Sequence, residues 1–97
     1  MRVVASPEAV AFVRERGGRL FVWTVTMEYG YGREVFVLEA STQSPGAKRS
    51  FRHVPGEGFD VLLDTGGRET PDELHVEVRG WRRRRVRAYW NRKSFAT

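Results

Sequence analysis

Between Arg19 and Ala40 the chain reads "RLFVWTVTMEYGYGREVFVLEA", and this stretch narrows the available folds more than any other. Phe21, Trp23, Val25 and Met27 alternate with Leu20, Val22, Thr24 and Thr26, a period of two, which is the period of a strand. Both faces are apolar, as expected for a strand with cover on each side. The glycine-rich "EYGYGR" turns the chain and "EVFVLEA" returns it, so residues 20–40 are expected to form a hairpin with Trp23 in its core.

The segment before the hairpin has a different period. In "SPEAVAFVRERGG" Ser6 can cap a helix, Pro7 suits the first helical position, and Glu8 favours the positive end of the dipole. Ala9, Val13 and Arg16 line one side with Phe12 beside them, and Gly17 is a natural stop. After the hairpin, "SFRHV", "FDVLLD", "LHVEVRGW" and "VRAYWN" read as further strands separated by Gly- and Pro-rich turns. One helical turn is allowed at Pro71. Leu74, Val76 and Val78 point one way and His75, Glu77 and Arg79 the other. Val86, Ala88 and Trp90 oppose Arg87, Tyr89 and Asn91 in the same manner. The expected fold is α+β and mostly β, a small twisted mixed sheet or sandwich of six or seven strands with one N-terminal helix. It forms a single domain over residues 1–97.

With 97 residues, 40% of them hydrophobic and 12% aromatic, the chain has material for one core. It contains no cysteine, which excludes a disulfide scaffold, a thiolate nucleophile and any Cys-ligated zinc or iron–sulfur site. The opening "MRVVASPEAVAFVRERGG" has no long apolar run before its charges, and no stretch reaches the ~20 apolar residues of a spanning helix. A cytoplasmic protein without a membrane segment is expected.

The net charge of +5 hides a division. Residues 79–97 carry 8 basic side chains and no acid, against 9 basic and 12 acidic residues elsewhere. Such a field draws acidic partners over a Debye length, ~8–10 Å. Arg79, Arg82, Arg83, Arg84, Arg85, Arg87, Arg92 and Lys93 are the candidate contacts for an acidic protein or a nucleic acid. Tyr89, on the face of Arg87, is the candidate stacking surface. The plainer reading of "GWRRRRV" is a hairpin turn whose arginines point into water.

No catalytic constellation emerges, and the chain reads as non-enzymatic. "LLDTGG" (Leu62–Gly67) has the apolar-apolar-Asp-Thr-Gly pattern of an aspartic-protease lobe. Only 30 residues follow it, and none of them supplies the bracing apolar pair before glycine. A strand ending in a turn accounts for it. Asp60 and Asp64 share a face roughly 13 Å apart, too far for a carboxylate dyad. His53 and His75 are the only histidines, and their spacing argues for neither a metal nor a general base. "GYG" and "GEG" lack the Lys-Ser or Lys-Thr and the following helix of a phosphate loop. No cofactor or metal is expected. Trp23, Tyr29, Tyr31 and Trp90 are candidate walls of a small-molecule pocket, or plain core.

The order of elements resembles the A-type iron–sulfur carrier family, also called HesB-like. Its members open with Thr/Ser-Pro-x-Ala and a short helix, here "ASPEAVAFVRERGG", followed by a strand and a glycine-rich turn, here "RLFVWTVTMEYGYG". A later hairpin leads to a Cys-Gly-Cys-Gly run and a small-x-Phe end, where this chain has "YWNRKSF". The resemblance implies a small mixed-sheet sandwich and, since the family is often dimeric, a homodimer. Aligned on Ser94 and Phe95, Tyr89 and Asn91 stand where the last two cysteines would be, and the first would fall near Met27–Tyr29. Tyr and Asn do not replace thiolates on iron, so cluster transfer is not implied. The expectation is a non-catalytic binding domain on this scaffold that meets an acidic partner through its basic C-terminal surface. A sequence-tolerant RNA or single-stranded DNA binder is the second reading, and a small-molecule binder the third.

Overall fold

The computed structural model describes residues 1–30, 32–46, 49–70, 72–80 and 83–90, with the Tyr29, Arg33 and Trp90 side chains outside the description. The elements in chain order are β1 (Arg2–Ala5), α1 (Pro7–Glu15), β2 (Arg19–Tyr29), β3 (Arg33–Ser41), β4 (Arg52–Pro55), β5 (Asp60–Asp64), β6 (Glu73–Arg79) and β7 (Arg85–Trp90). They form two mixed sheets, one of three strands in the order β1-β6-β7 and one of four in the order β3-β2-β5-β4. This is the α+β, mostly β arrangement expected. Six of its strands are those read from the sequence, and β1 is a seventh.

β1 pairs in parallel with β6, placing Val3 beside Leu74 and Ala5 beside Val76. Four residues ahead of a helix carry too little alternation to show themselves. They become a strand because a distant edge offers both hydrogen bonds and an apolar wall. The Arg2 amide donates to the Asp72 carbonyl at 2.9 Å and the Ser6 amide to Val76 at 3.2 Å.

α1 follows its sequence signals closely. Ser6 Oγ accepts from the Ala9 amide at 3.1 Å, and Pro7 and Glu8 occupy the first turn. At the other end the Gly18 amide donates to Val13 and the Gly17 amide to Arg14, the paired bonds of a glycine-terminated helix. Ala9, Phe12 and Val13 are buried. Arg16 is exposed rather than aligned with them: its guanidinium carbon lies 3.6 Å from the centre of the Phe12 ring, and Nη1 donates to the Phe12 carbonyl at 3.2 Å. The cation caps the apolar face instead of joining it.

β2 and β3 pair in antiparallel from Phe21↔Ser41 to Tyr29↔Arg33, so the hairpin forms as expected. Its inward face differs from the expectation. Leu20 and Val22 are fully buried against Val61 and Leu63 of the parallel neighbour β5. Trp23 therefore points to the opposite side of the sheet and is half-buried. There the Arg49 guanidinium lies 5.5 Å from its ring centre, and Phe51 meets Phe21 edge-on at 5.4 Å. Both faces were apolar enough to be inside, and the even-numbered face is the one that joins the buried cluster, with Ala9, Phe12 and Val13 of α1 and Val61 and Leu63 of β5. Of β2, only residues 19–23 pair with β5, so among the described residues the far half of the hairpin has strand pairing only with itself.

The buried side chains make one cluster: Val3, then Ala9, Phe12 and Val13, then Leu20 and Val22, then Phe59, Val61 and Leu63, and finally Leu74, Val76 and Val86. Val78 and Ala88 pack on it, so the inward assignment holds for Leu74, Val76, Val78, Val86 and Ala88, while the Trp90 side chain lies outside the description. Among the described residues no polar or charged side chain is buried and no helix is long and apolar enough to cross a membrane.

Candidate binding surface

The site is the outer face of the three-stranded sheet together with the turn that joins its last two strands. The β6–β7 register sets Glu77 opposite Arg87, His75 opposite Tyr89, and Arg79 opposite Arg85. Strand parity sends all six away from the core. Arg85, Arg87 and Tyr89 thus share one face, as the alternation implied. Gly80, Arg83 and Arg84 are the described residues between the two strands. Gly80 takes φ +88°, and a Cβ there would lie 2.4 Å from the Arg83 carbonyl oxygen, so this tight reversal admits only glycine. Arg83, Arg84 and Arg85 are exposed around it. Arg82, Arg92 and Lys93 lie outside the described residues.

The arginines do not share one environment. Arg79 sits opposite Arg85, and like charges placed so repel. Glu77 relieves this by accepting from Arg79 Nε at 2.7 Å, with Nη2 at 2.6 Å. The same Glu77 takes the Tyr89 hydroxyl at 3.4 Å. Its carboxylate is therefore directed to Arg79 and Tyr89 rather than to Arg87, its register partner. Among the described residues no carboxylate lies within ion-pair distance of Arg83, Arg84, Arg85 or Arg87.

Tyr89 is less available than the sequence suggests. It is 42% exposed, but its ring stacks on His75 with centres 5.1 Å apart and planes within 4°. His75 Nε2 in turn lies 3.4 Å from Glu73, which also binds Arg2. The Arg2 guanidinium beside Glu73, with a smaller contribution from His75, holds that carboxyl below its usual range. Neither His75 nor Glu77 was singled out for the site. Aligning Arg79 with Arg85 would have found both, since every second residue back along β6 then faces a residue of the basic strand.

The other candidates disperse. His53 meets Asp60 at 2.9 Å on the far sheet, well removed in the fold from His75. Asp64 accepts the Gly66 amide at 2.9 Å, the Asx turn that ends β5. Among the described residues no three His, Cys, Asp or Glu side chains gather as a metal site would require. Of the four aromatics proposed as a pocket wall, Tyr31 and the Tyr29 and Trp90 side chains lie outside the description. Trp23 has Arg49 over its ring. Pro71 and Asn91 also lie outside the described residues. No family model, no curated protein and no solved structure matches the chain.

Proposed function

We propose that the protein is a non-catalytic binding domain on a HesB-like scaffold without cluster ligands, which meets an acidic protein through the basic surface around Arg83, Arg84, Arg85 and Arg87. The observation that carries this reading is the contrast within one hairpin. Arg79 has a carboxylate of its own, whereas these four have none among the described residues. Adjacent like charges cost the fold through repulsion, and a polyanion recovers that cost on binding. Tyr89 gives a single-stranded nucleic acid less to stack on than the sequence suggests, because His75 covers one face of its ring and Glu77 takes its hydroxyl. The cysteine-free composition suits the cytosol, and a homodimer rests on the family resemblance.

The test compares wild type with the Arg83→Ser/Arg85→Ser double variant. Both are titrated with an oligoglutamate peptide and with single-stranded RNA, at about 50 and about 200 mM salt. The double variant is expected to keep its stability within about ±0.5 kcal/mol per site. It should lose most of its oligoglutamate affinity and flatten its salt dependence. Equal curves for the two proteins would make the arginines a solvated turn. Tight RNA binding without oligoglutamate binding would replace the acidic protein with a nucleic acid.

A further inference from the structure

The two sheets meet along one seam. β3 and β7 are edge strands of different sheets and lie side by side without ladder hydrogen bonds. A groove of about 760 Å³ follows this seam. Met27, Val37, Val86 and Ala88 give it an aliphatic floor, and Arg84, Arg85 and Arg87 form its rim on the β7 side. Glu39 stands on the opposite wall. The floor runs out onto the exposed side of the β2–β3 hairpin, where Met27 (45% exposed) pairs across the strands with Val35 (41% exposed). Exposed apolar surface and guanidinium groups with no carboxylate partner among the described residues therefore border the same groove.

We infer that this groove receives an extended acidic peptide in which carboxylates alternate with aliphatic side chains; the inference rests on the acidic-partner reading and specifies its ligand. Three features support it. Arg85 and Arg87 are alternate residues of one strand, so their side chains leave the backbone about 7 Å apart, the spacing of alternate residues in an extended peptide. Carboxylates at every second position can therefore meet successive guanidinium groups along the rim. The intervening side chains then face the aliphatic floor. Glu39 on the far wall disfavours acids on that second side, so the ligand is acidic on one face only.

Competing occupants fit less well. A single-chain anionic lipid carries its charge at one end, whereas the cations here are spread along the seam. A nucleobase needs an open ring to stack on. The groove's described lining offers only Phe12, which is 8% exposed and has Arg16 over its ring.

The experiment uses two synthetic peptides of equal composition and charge, Glu-Leu-Glu-Ala-Glu-Leu-Glu and the block isomer Leu-Leu-Ala-Glu-Glu-Glu-Glu, titrated into the full chain by fluorescence anisotropy. The alternating peptide is expected to bind about tenfold more tightly, the effect of ~1.4 kcal/mol from seating its aliphatic side chains. Met27→Glu should abolish that preference, while Val35→Glu, on the same exposed face but outside the groove lining, should retain it. Equal affinities for the two peptides, both lost in the Arg83→Ser/Arg85→Ser variant, would overturn the groove while leaving the acidic-partner reading intact. Binding of neither peptide would overturn both. Binding of phosphatidylglycerol vesicles or single-stranded RNA in place of the alternating peptide would also overturn it. If Met27→Glu and Val35→Glu lose the preference equally, the groove is not its source.

Discussion

The β2–β3 and β6–β7 hairpins share one antiparallel ladder pattern and differ in what they turn away from the core. β6–β7 turns out His75, Glu77, Arg79, Arg85, Arg87 and Tyr89. β2–β3 turns out Phe21, Trp23, Val25 and Met27, with Val35 and Val37 beside them. In the first hairpin one face is polar, so parity leaves a single inward choice. In the second, both faces can be buried, and the choice passes to the tertiary fit. The same alternation thus identifies a strand in both cases but its orientation in only one. The difference also has a functional side, because the hairpin with the ambiguous pattern is the one that leaves apolar surface exposed beside the arginines.

The largest expected effect tests this reversal of faces directly. Leu20 is fully buried, and Leu20→Ala should cost about 2–5 kcal/mol. Trp23, larger but half-buried on the outer side, should cost only about 1–2 kcal/mol as alanine, a fraction of what a buried aromatic loses. Urea denaturation of the two variants ranks them. A Trp23→Ala penalty equal to or above that of Leu20→Ala would mean that the odd-numbered face is the inner one after all.

The residues that read correctly are those whose signal is local. Ser6 and Gly17 bracket α1 because capping involves only a few consecutive residues. Leu74, Val76 and Val78 face inward because their alternating partners are charged. β1 was not legible, since "RVVA" acquires strand character only by pairing Val3 with Leu74, across most of the chain. The groove was not legible for the same reason. Met27 and Arg85 belong to separate hairpins in separate sheets, and only the packing of β3 beside β7 brings them together. The basic stretch was visible as composition, but its division into a compensated Arg79 and uncompensated neighbours depends on where Glu77 directs its carboxylate.

A second, smaller effect separates the hairpins at their turns. Gly32 and Gly80 both have positive φ, +72° and +88°. A Cβ at Gly32 meets nothing within 4 Å, whereas at Gly80 it strikes the Arg83 carbonyl at 2.4 Å. Gly32→Ala should therefore cost about 1 kcal/mol of backbone strain. Gly80→Ala should cost roughly 2–3 kcal/mol, because the turn must also open. Opening it displaces Arg83 and Arg84, so oligoglutamate binding should weaken in Gly80→Ala and not in Gly32→Ala. Equal thermal shifts for the two variants would mean that the Arg83 carbonyl does not hold the turn.

The smallest effect concerns acid, and it separates the charged outer face of the three-stranded sheet from the apolar one. Glu73 is held below its ordinary value of 4.5, chiefly by Arg2 and secondarily by His75. A carboxyl with a lowered folded-state pKa adds stability that is fully present above its unfolded value. That stability is lost as the pH falls through the lowered one. The difference in stability between wild type and Arg2→Ala should therefore be constant at neutral pH and shrink toward zero as the pH falls through and below the ordinary carboxylate value. High salt should reduce it throughout, since the Arg2 side chain is 74% exposed. In Arg2→Ala the Glu73 carboxyl, followed by NMR, should titrate closer to its ordinary value. The Trp23→Ala penalty arises from apolar contact and has no reason to follow this curve, so it should stay level over the same range. If the Arg2→Ala penalty also stays level into acid, then Arg2 contributes through the packing of its stem rather than through its charge, and the two outer faces are held by the same force.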